Sequence, residues 1–198
     1  MPHFVAIAAI LICAYLLGSI PTALIVSRKI KKVDIRYVGD GNMGAHNTFH
    51  EIGPKFGVMV ASLDFVKGSL AVFLAYLLGL NLSWQILAAV LAIIGHDFPI
   101  FANFKGGQGT ATSLGAMMIL FPVPTLIGLC IYGISFLFIK SSNIGLGIGG
   151  ATIAVSLGFS QNWQMLGFAV IIFLLIPLKM LIDSSRRRSI KRIKKSMK

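Results

Sequence analysis

Long apolar runs separated by short polar segments dominate this chain. The first run covers residues 4–26, and five of the Lys and Arg residues follow it between positions 28 and 36. Further runs cover residues 56–79, 84–101 and 144–159, and a last run ends near Leu181. Apolar segments of roughly 20 residues are long enough to cross a bilayer as helices. The pattern therefore predicts an all-α integral membrane protein without a large soluble domain.

The apolar region at residues 109–139 decides the number of spans. It is too long for one straight span and short for two. The basic segment 28–36 and the basic C-terminus should both be cytoplasmic, so an even number of spans separates them. Pro122-Val123-Pro124 supplies a break, because proline disfavours helix at the preceding residue. We therefore predict spans at 109–121 and 123–139, and seven transmembrane helices with the N-terminus outside and the C-terminus cytoplasmic.

Composition and charge agree with this architecture. The 198 residues are 56% hydrophobic and 12% charged, which is typical of membrane proteins. The net charge is +12, and eight of the 18 Lys and Arg residues lie between Arg186 and Lys198. With no soluble domain to bind nucleic acid, we interpret this charge as orienting the chain and contacting anionic lipid head groups. The predicted units are a membrane domain, residues 1–182, and a basic cytoplasmic tail, residues 183–198.

Two polar, glycine-rich stretches interrupt the apolar pattern. We call residues 39–47 the first glycine loop and residues 104–110 the second glycine loop. Glycines expose backbone N–H groups and permit left-handed conformations, so such loops can surround an anion. In the predicted topology both loops are cytoplasmic. We therefore favour one shared site for a small anionic molecule over the alternative that the loops are flexible connectors.

Polar residues within two spans also attract attention. Asp64 and Lys67 are three residues apart, so they share a helix face. Ionisable residues within a span usually face a polar interior, which allows either a self-contained ion pair or, as we favour, the wall of a site. Near the end of the first span, Pro21 removes a backbone hydrogen bond, and Ser19 can bond a freed carbonyl. A simple kink is the alternative there.

Known catalytic patterns are mostly absent from the sequence. It contains no GxxxxGK[ST], GxSxG or HExxH motif. His46 and His50 are four residues apart, which alone is weak evidence for a metal, and we predict neither metal nor cofactor. Arg36 and Lys105 are the natural anion ligands, and asparagine side chains in the first glycine loop can donate to phosphate or hydroxyl oxygens.

Several separated motifs resemble one family when they are taken together. They are Gly18-Ser19-Ile20-Pro21, Asp34-Ile35-Arg36, Gly41-Asn42-Met43-Gly44-Ala45-His46-Asn47, Asp64-Phe65-Val66-Lys67-Gly68, Gly95-His96-Asp97-Phe98-Pro99-Ile100-Phe101 and Phe104-Lys105-Gly106-Gly107. In this order they resemble the bacterial acyl-phosphate:glycerol 3-phosphate acyltransferases, the PlsY family. The resemblance implies a seven-span enzyme of the bacterial cytoplasmic (inner) membrane. It also implies acyl transfer from acyl phosphate to the 1-hydroxyl of glycerol 3-phosphate, which makes lysophosphatidic acid for phospholipid biosynthesis.

The chain departs from the family pattern at several positions that largely hold phosphate. The family usually has Ser at position 40, Thr at 46, Arg at 50 and Lys at 108, where this chain has Asp40, His46, His50 and Gln108. The family's last span also leads into an Arg-His-x-x-Asn-Ile motif, where this chain has the segment 183–190. A like-charge contact near 4 Å costs about 4 kcal/mol at an effective dielectric of 20, so these changes require compensation by other cations.

From the residues and the resemblance together we predict the following site. Catalytic candidates are Lys105, Asn47, His46 and Asp40; substrate-binding candidates are Ser19, Arg36, Gly41, Asn42, Gly44, His50, Lys67, His96, Gly106, Gly107 and Gln108. The expected partners are acyl phosphate, glycerol 3-phosphate and membrane lipids, with the protein a monomer. Two alternatives remain open: a paralogue that acylates a different polar acceptor, and a degenerate relative that binds lipid without catalysis. A transporter is a weaker alternative because the polar residues gather on one side.

Overall fold

The computed structural model describes residues 2–184 and 187–190, with the side chains of residues 2, 3, 142 and 143 excepted. Across this part of the chain the fold is all-helical. The α-helices are α1 Pro2–Ser19, α2 Thr22–Lys31, α3 Ala45–Glu51, α4 Pro54–Leu77, α5 Leu82–Asp97, α6 Thr110–Leu120, α7 Pro122–Ile139, α8 Ser142–Phe159 and α9 Trp163–Ile182. Short 3₁₀ turns cover Ile35–Tyr37 and Ile100–Ala102, and residues 187–190 are helical as well.

Within the described residues, five helical segments are long and apolar enough to cross a membrane. They are Phe4–Lys31, Pro54–Leu77, Leu82–Ala102, Pro122–Ile139 and Trp163–Ile182. The segments Thr110–Leu120 and Ile144–Phe159 are apolar but shorter. The predicted apolar runs therefore all form helices, and two of the seven fall below the usual length of a span.

Two helix breaks occur at prolines, as the sequence suggests. Phe121 is not helical, and α7 begins at Pro122, where a proline is tolerated because the first N–H groups of a helix have no intrahelical partner. The predicted split between the fourth and fifth runs is thus confirmed. The first run, predicted over residues 4–26 with a possible kink at Pro21, is one apolar segment, Phe4–Lys31, in two helices: α1 ends at Ser19, and α2 starts after Pro21 and continues to Lys31.

The polar segment 27–55 is more ordered than a connecting loop. It contains the end of α2, the 3₁₀ turn Ile35–Tyr37 and α3. A cluster of buried apolar side chains holds these pieces against α4 and the turn Ile100–Ala102: Ala23, Leu24, Val26, Ile35, Met43, Ile52, Val60 and Ala102. Because this cluster lies beneath the first glycine loop, that loop rests on a packed base.

Close helix contacts in the bundle are made at glycines. A Cβ added to Gly68 in α4 would overlap the backbone carbonyl oxygen of Thr112 in α6, and one added to Gly115 in α6 would overlap that of Phe65 in α4. Gly18 and Gly95 make equally close contacts with backbone atoms between α1 and α5. Gly128 and Gly149 do so between α7 and α8. Small residues let helix backbones approach in a membrane, where packing rather than water exclusion drives association.

We expect Gly68→Ala to lower thermal stability by roughly 1–3 kcal/mol or more, because the added methyl would force α4 and α6 apart. Gly158→Ala in α8 is the matched control, since no atom lies within 4 Å of a Cβ built there. Alanine favours helix over glycine, so the control should melt at or slightly above the wild-type temperature. Equal melting temperatures for the two variants in detergent would contradict the tight α4–α6 contact.

A second apolar cluster joins the other helices of the bundle. Its fully buried members come from α4, α5, α6, α8 and α9, and include Val72, Ile93, Met117, Leu157 and Phe168. This packing sets α6 within the bundle, with its N-terminus next to the two glycine loops.

Candidate active site

A cavity of about 520 Å³ opens where the glycine loops meet the helix ends. Its lining residues come from both glycine loops, from the helices α4 to α9 and from the C-terminal segment. They are Asp40, Asn42, Gly44, Ala45, His46, Ala61, Asp64, His96, Gln108, Gly109, Thr110, Ala111, Leu114, Tyr132, Leu146, Met180 and Arg187. The structure thus brings the two glycine loops to one site, as predicted from their shared side of the membrane.

The first glycine loop is held in shape by Asn47. Its Nδ2 donates to the carbonyl oxygens of Val38, at 2.9 Å, and Asn42, at 3.0 Å. Its Oδ1 accepts from the N–H of Asp40 at 3.2 Å. Asn47 is buried and does not line the cavity. The contacts assign it to shaping the loop, whereas the sequence placed it among the catalytic candidates.

Asp40 and Asn42 form the polar face of this loop inside the cavity. Asp40 Oδ1 accepts from the N–H of Asn42 at 2.9 Å, which closes a tight turn through Gly41. Asn42 is 6% exposed, and its Oδ1 has no hydrogen-bond partner among the described residues. A buried amide oxygen without a partner is costly. Asn42 is therefore ready to accept a hydrogen bond from a hydroxyl group of a bound molecule.

His46 and His50 lie at the edge of the site. Both side chains are exposed, and their rings meet edge to face with centroids 4.6 Å apart. His46 lines the cavity and His50 does not. Of the two predicted histidines, His46 alone is therefore placed for direct contact with a molecule in the cavity.

Arg36 is already occupied by protein groups. Its Nη2 donates to Asp34 Oδ2 at 2.6 Å, its Nε to Asp34 Oδ1 at 2.9 Å, and its Nη1 to the carbonyl oxygen of Ala102 at 2.9 Å. The hydrogen bonds from Arg36 lower the pKa of Asp34 to about 2 and raise that of Arg36, so both stay charged at neutral pH. Arg36 does not line the cavity. It ties the first loop to the turn before the second, although the sequence suggested an anion ligand.

A buried ion pair forms the wall of the cavity beneath the loops. Lys67 Nζ lies 2.7 Å from Asp64 Oδ1, and the two side chains are 6% and 1% exposed. The Thr22 hydroxyl donates to Asp64 Oδ1 at 2.6 Å, and His96 Nδ1 lies 3.6 Å from the same oxygen. Asp64 and His96 line the cavity, whereas Lys67 does not. The pair is thus self-satisfied and also part of the site wall, which combines the two alternatives that the sequence allowed.

Lys67, not Ser19, adds a side-chain hydrogen bond at the helix break at Pro21. Lys67 Nζ donates to the carbonyl oxygen of Ile20 at the break, and the same oxygen accepts from the N–H of Thr22 at 3.0 Å. The Ser19 hydroxyl is buried and has no hydrogen-bond partner among the described residues. Ser19 does not line the cavity. Our expectation that Ser19 bonds a freed carbonyl was wrong, because the carbonyl oxygens of Leu17 and Ile20 accept from the N–H groups of Ile20 and Thr22, and Lys67 adds a second donor to Ile20.

The second glycine loop packs its backbone against the end of α5. The N–H of Gly106 donates to the carbonyl oxygen of Asp97 at 3.2 Å, and that of Gly107 donates to the one of His96 at 3.1 Å. A Cβ on Gly106 would overlap those carbonyl oxygens, and one on Gly107 would overlap the His96 ring. The two glycines therefore serve close packing beside His96. Neither of them lines the cavity.

The start of α6 and Lys105 flank this loop. Gly109, Thr110 and Ala111 line the cavity, so it lies beside the free N–H groups and positive dipole end of α6. Lys105 is exposed and does not line the cavity. No side-chain hydrogen bond or ion pair of Lys105 occurs within residues 2–184 and 187–190.

A second, apolar cavity adjoins the first. It measures about 330 Å³ and lies between α6, α7, α8 and α9. Thr110, Leu114, Tyr132, Leu146 and Met180 line both cavities, so the polar and apolar spaces are immediate neighbours. Such a site suits a molecule with a charged end and a long hydrocarbon chain.

Comparison with known proteins decides the family. A model of the family described as glycerol-3-phosphate acyltransferase matches residues 8–196. The chain belongs to this family. It is 39% identical over 184 residues to the glycerol-3-phosphate acyltransferase of Endomicrobium trichonymphae, covering 92% of this chain and 89% of that protein. It is 38% identical to glycerol-3-phosphate acyltransferase 2 of Bacillus anthracis, covering 92% and 93%.

Solved structures show the same fold. The crystal structure of PlsY (YgiH), an integral membrane glycerol 3-phosphate acyltransferase in its glycerol 3-phosphate form, matches with a TM-score of 0.81. The identity is 30%, over 93% of this chain and 92% of that one. The lysophosphatidic acid form matches with a TM-score of 0.80 at 29% identity and the same coverage. This acyltransferase is therefore an all-helical, multi-pass membrane enzyme.

Two residues at the candidate site were not singled out from the sequence. Thr22 binds Asp64, and its only signal was its place one residue after Pro21. Arg187 lines the cavity, and its guanidinium lies against the side-chain amide of Gln108, whose oxygen faces it when the amide is oriented to satisfy both groups. Arg187 was expected in a surface tail, because a run of basic residues does not reveal which one lies at the cavity.

Proposed function

We propose that this protein transfers a fatty acyl group from acyl phosphate to the 1-hydroxyl of glycerol 3-phosphate and releases lysophosphatidic acid and phosphate. The observation that carries the proposal is the pair of adjoining cavities, one polar and one apolar, in a member of this family. The acyl chain would occupy the apolar space between α6 and α9, and the two phosphate groups would lie in the polar one. The acceptor's hydroxyl oxygen attacks the acyl carbonyl, and the bond to the phosphate oxygen breaks.

Direct attack needs no protein nucleophile, since an acyl phosphate is already activated. Positioning both substrates in one site supplies a large part of the rate. The N–H groups at the start of α6 and in the glycine loops would stabilise the developing negative charge on the carbonyl oxygen and the leaving phosphate. Lys105 would add its charge by turning its exposed side chain towards the cavity, which it does not line in this structure. The hydroxyl proton would pass to the acceptor's own phosphate, or to His46 or Asp40, which line the cavity.

We infer that the enzyme has seven spans, with the N-terminus outside and the C-terminus and site on the cytoplasmic side of the bacterial inner membrane. The five long apolar helices and two shorter ones support this count. Protein shelters the short α6, because Thr112, Ser113, Ala116 and Met117 are buried in the bundle. We also propose that one chain acts alone, as a monomer, because both cavities are built within one chain.

A different acceptor is the alternative that one observation favours. Asp40 lines the cavity where the family usually has serine, and a carboxylate there repels a phosphate but suits an amine or a neutral polyol. A protein that retains the fold and binds lipid without catalysis is the further alternative.

Acyl transfer by purified protein separates these possibilities. With acyl phosphate as donor and labelled glycerol 3-phosphate as acceptor, we expect labelled lysophosphatidic acid. A parallel acceptor screen would include glycerol, phosphate-free polyols and amino alcohols. Product with one of these acceptors and none with glycerol 3-phosphate would establish the paralogue instead. No product with any acceptor from folded protein would point to the non-catalytic relative.

A further inference from the structure

The C-terminal segment folds back into the site. Backbone hydrogen bonding continues past α9, with the N–H of Arg187 donating to the carbonyl oxygen of Asp183 at 3.1 Å. Lys179 Nζ bonds Asp183 Oδ2 at 2.8 Å, and both side chains are buried. This buried ion pair fixes the end of α9 and therefore the direction in which the segment leaves it.

Ile190 anchors the other end of the segment. Its side chain is buried, and a Cβ added to Gly41 in the first glycine loop would overlap Ile190 Cδ1. Residues three apart on a helix lie on the same face, so Arg187 points to the same side as Ile190. Arg187 is thereby held between two packed points and directed into the polar cavity.

Arg187 differs from the other basic residues near the site in its partners. Arg36, Lys67 and Lys179 are each paired with a carboxylate, in Asp34, Asp64 and Asp183. Among the described residues that line the polar cavity, Arg187 is the one Lys or Arg. Both Nη atoms of Arg187 lie against the side-chain amide of Gln108, whose oxygen accepts from them when the amide is oriented to satisfy both groups. The buried Nε has no hydrogen-bond partner in the described part of the chain. Gln108 is neutral, so it leaves the charge of this guanidinium available to a phosphate.

We propose that Arg187 binds the phosphate of the acceptor and that Gln108 positions its guanidinium. The pair would replace a lysine, which the family resemblance expects at position 108, by a cation delivered from the C-terminal segment. This rests on the proposed function, which supplies a phosphate-bearing acceptor. This assignment also explains how the site tolerates Gln108 and Asp40, because Arg187 of the C-terminal segment supplies the positive charge that a lysine at position 108 would have carried.

The first test is Arg187→Gln, which keeps a polar side chain of similar reach. We expect the KM for glycerol 3-phosphate to rise about 10- to 100-fold, because a charge-assisted hydrogen bond to the phosphate is lost. The KM for acyl phosphate should change little. The control is Arg188→Gln: that neighbour is exposed and does not line the cavity, so both KM values should stay at the wild-type level.

Rescue distinguishes charge replacement from damage to folding. Adding Gln108→Lys to Arg187→Gln should recover most of the lost affinity, because the lysine restores a cation at the position that the family uses. An unchanged KM for glycerol 3-phosphate in Arg187→Gln, a rise confined to the KM for acyl phosphate, or no recovery in a folded double variant would each overturn the proposal.

A binding measurement keeps this test separate from the proposed function. Stabilisation of the detergent-purified protein by glycerol 3-phosphate should be seen with wild type and with Arg188→Gln, and should be much weaker with Arg187→Gln. If wild type binds glycerol 3-phosphate in this way but transfers no acyl group, the proposed reaction fails and the assignment of Arg187 stands. If Arg187→Gln is stabilised as strongly as wild type, the assignment fails whatever the turnover.

Discussion

Replacing Lys105 with alanine is expected to abolish turnover, by at least about 100-fold in kcat, because removal of one donor to a developing oxyanion costs that much in other acyl transfers. The other cations of the predicted site are already paired with protein groups. Arg36 and Lys67, the remaining cations among the predicted site residues, are each held by a carboxylate. Lys105 carries no ion pair within the described residues, and it lies two positions before Gly107, which packs on the cavity-lining His96.

Because Lys105 is exposed, an effect of its removal on activity can be separated from an effect on folding. An exposed side chain can be truncated with little effect on folding, so melting temperature and yield should match the wild type while lysophosphatidic acid formation is lost. Lys140→Ala, at an exposed lysine that begins the turn between α7 and α8, is the matched control and should leave activity unchanged. Near-normal activity of Lys105→Ala would remove this residue from the chemistry. Charge stabilisation would then fall to the backbone N–H groups of the glycine loops and α6.

Asp64→Ala is expected to cost about 3–5 kcal/mol of stability, since it leaves Lys67 charged and buried without its partner. The Thr22 hydroxyl would lose its acceptor, and His96 would lose the carboxylate 3.6 Å from its Nδ1, so the contacts of α2 and α5 with α4 would weaken. Because His96 lines the cavity, the activity of each folded molecule should fall as well. Thermal unfolding monitored by size-exclusion chromatography in detergent measures the loss of stability. Acyl transfer per folded molecule measures the loss of activity.

A charge-neutral double variant separates the ion pair from the cavity wall. Asp64→Asn with Lys67→Met removes both charges and keeps similar volumes, so it should regain part of the stability that Asp64→Ala loses. If the free energy of unfolding of Asp64→Ala is within about 1 kcal/mol of the wild-type value, the ion pair contributes little to stability.

Several features of the site could be predicted from the sequence because they depend on local chemistry. The meeting of two glycine loops followed from charge and parity, with no knowledge of packing. Asp64 and Lys67 were expected to pair or to form a wall because their spacing puts them on one helix face. Asp40, Asn42, Gly44, His46, His96 and Gln108 were proposed as site residues and do line the cavity.

Other residues were placed differently because their roles depend on distant partners. Arg36 and Asn47 carry the groups expected of substrate ligands. In the structure, however, Arg36 donates to Asp34, and Asn47 donates to carbonyl oxygens of its own loop. The sequence does not show which acceptor lies within about 3 Å of each donor group after folding. Likewise, Lys67 and not Ser19 bonds a carbonyl oxygen at the break, that of Ile20, because α4 passes close to it.

The sequence by itself determined the class of this protein: apolar runs bounded by basic segments dictate a helical membrane protein, prolines set the helix breaks, and ordered motifs indicate the family. Only the tertiary structure decided which cations remain available for a substrate. That choice depends on pairing between elements far apart in the chain, such as Arg36 with the turn at Ala102 and Arg187 with Gln108. Burial makes an unpaired charge costly, so each cation takes whichever partner the packed helices bring near.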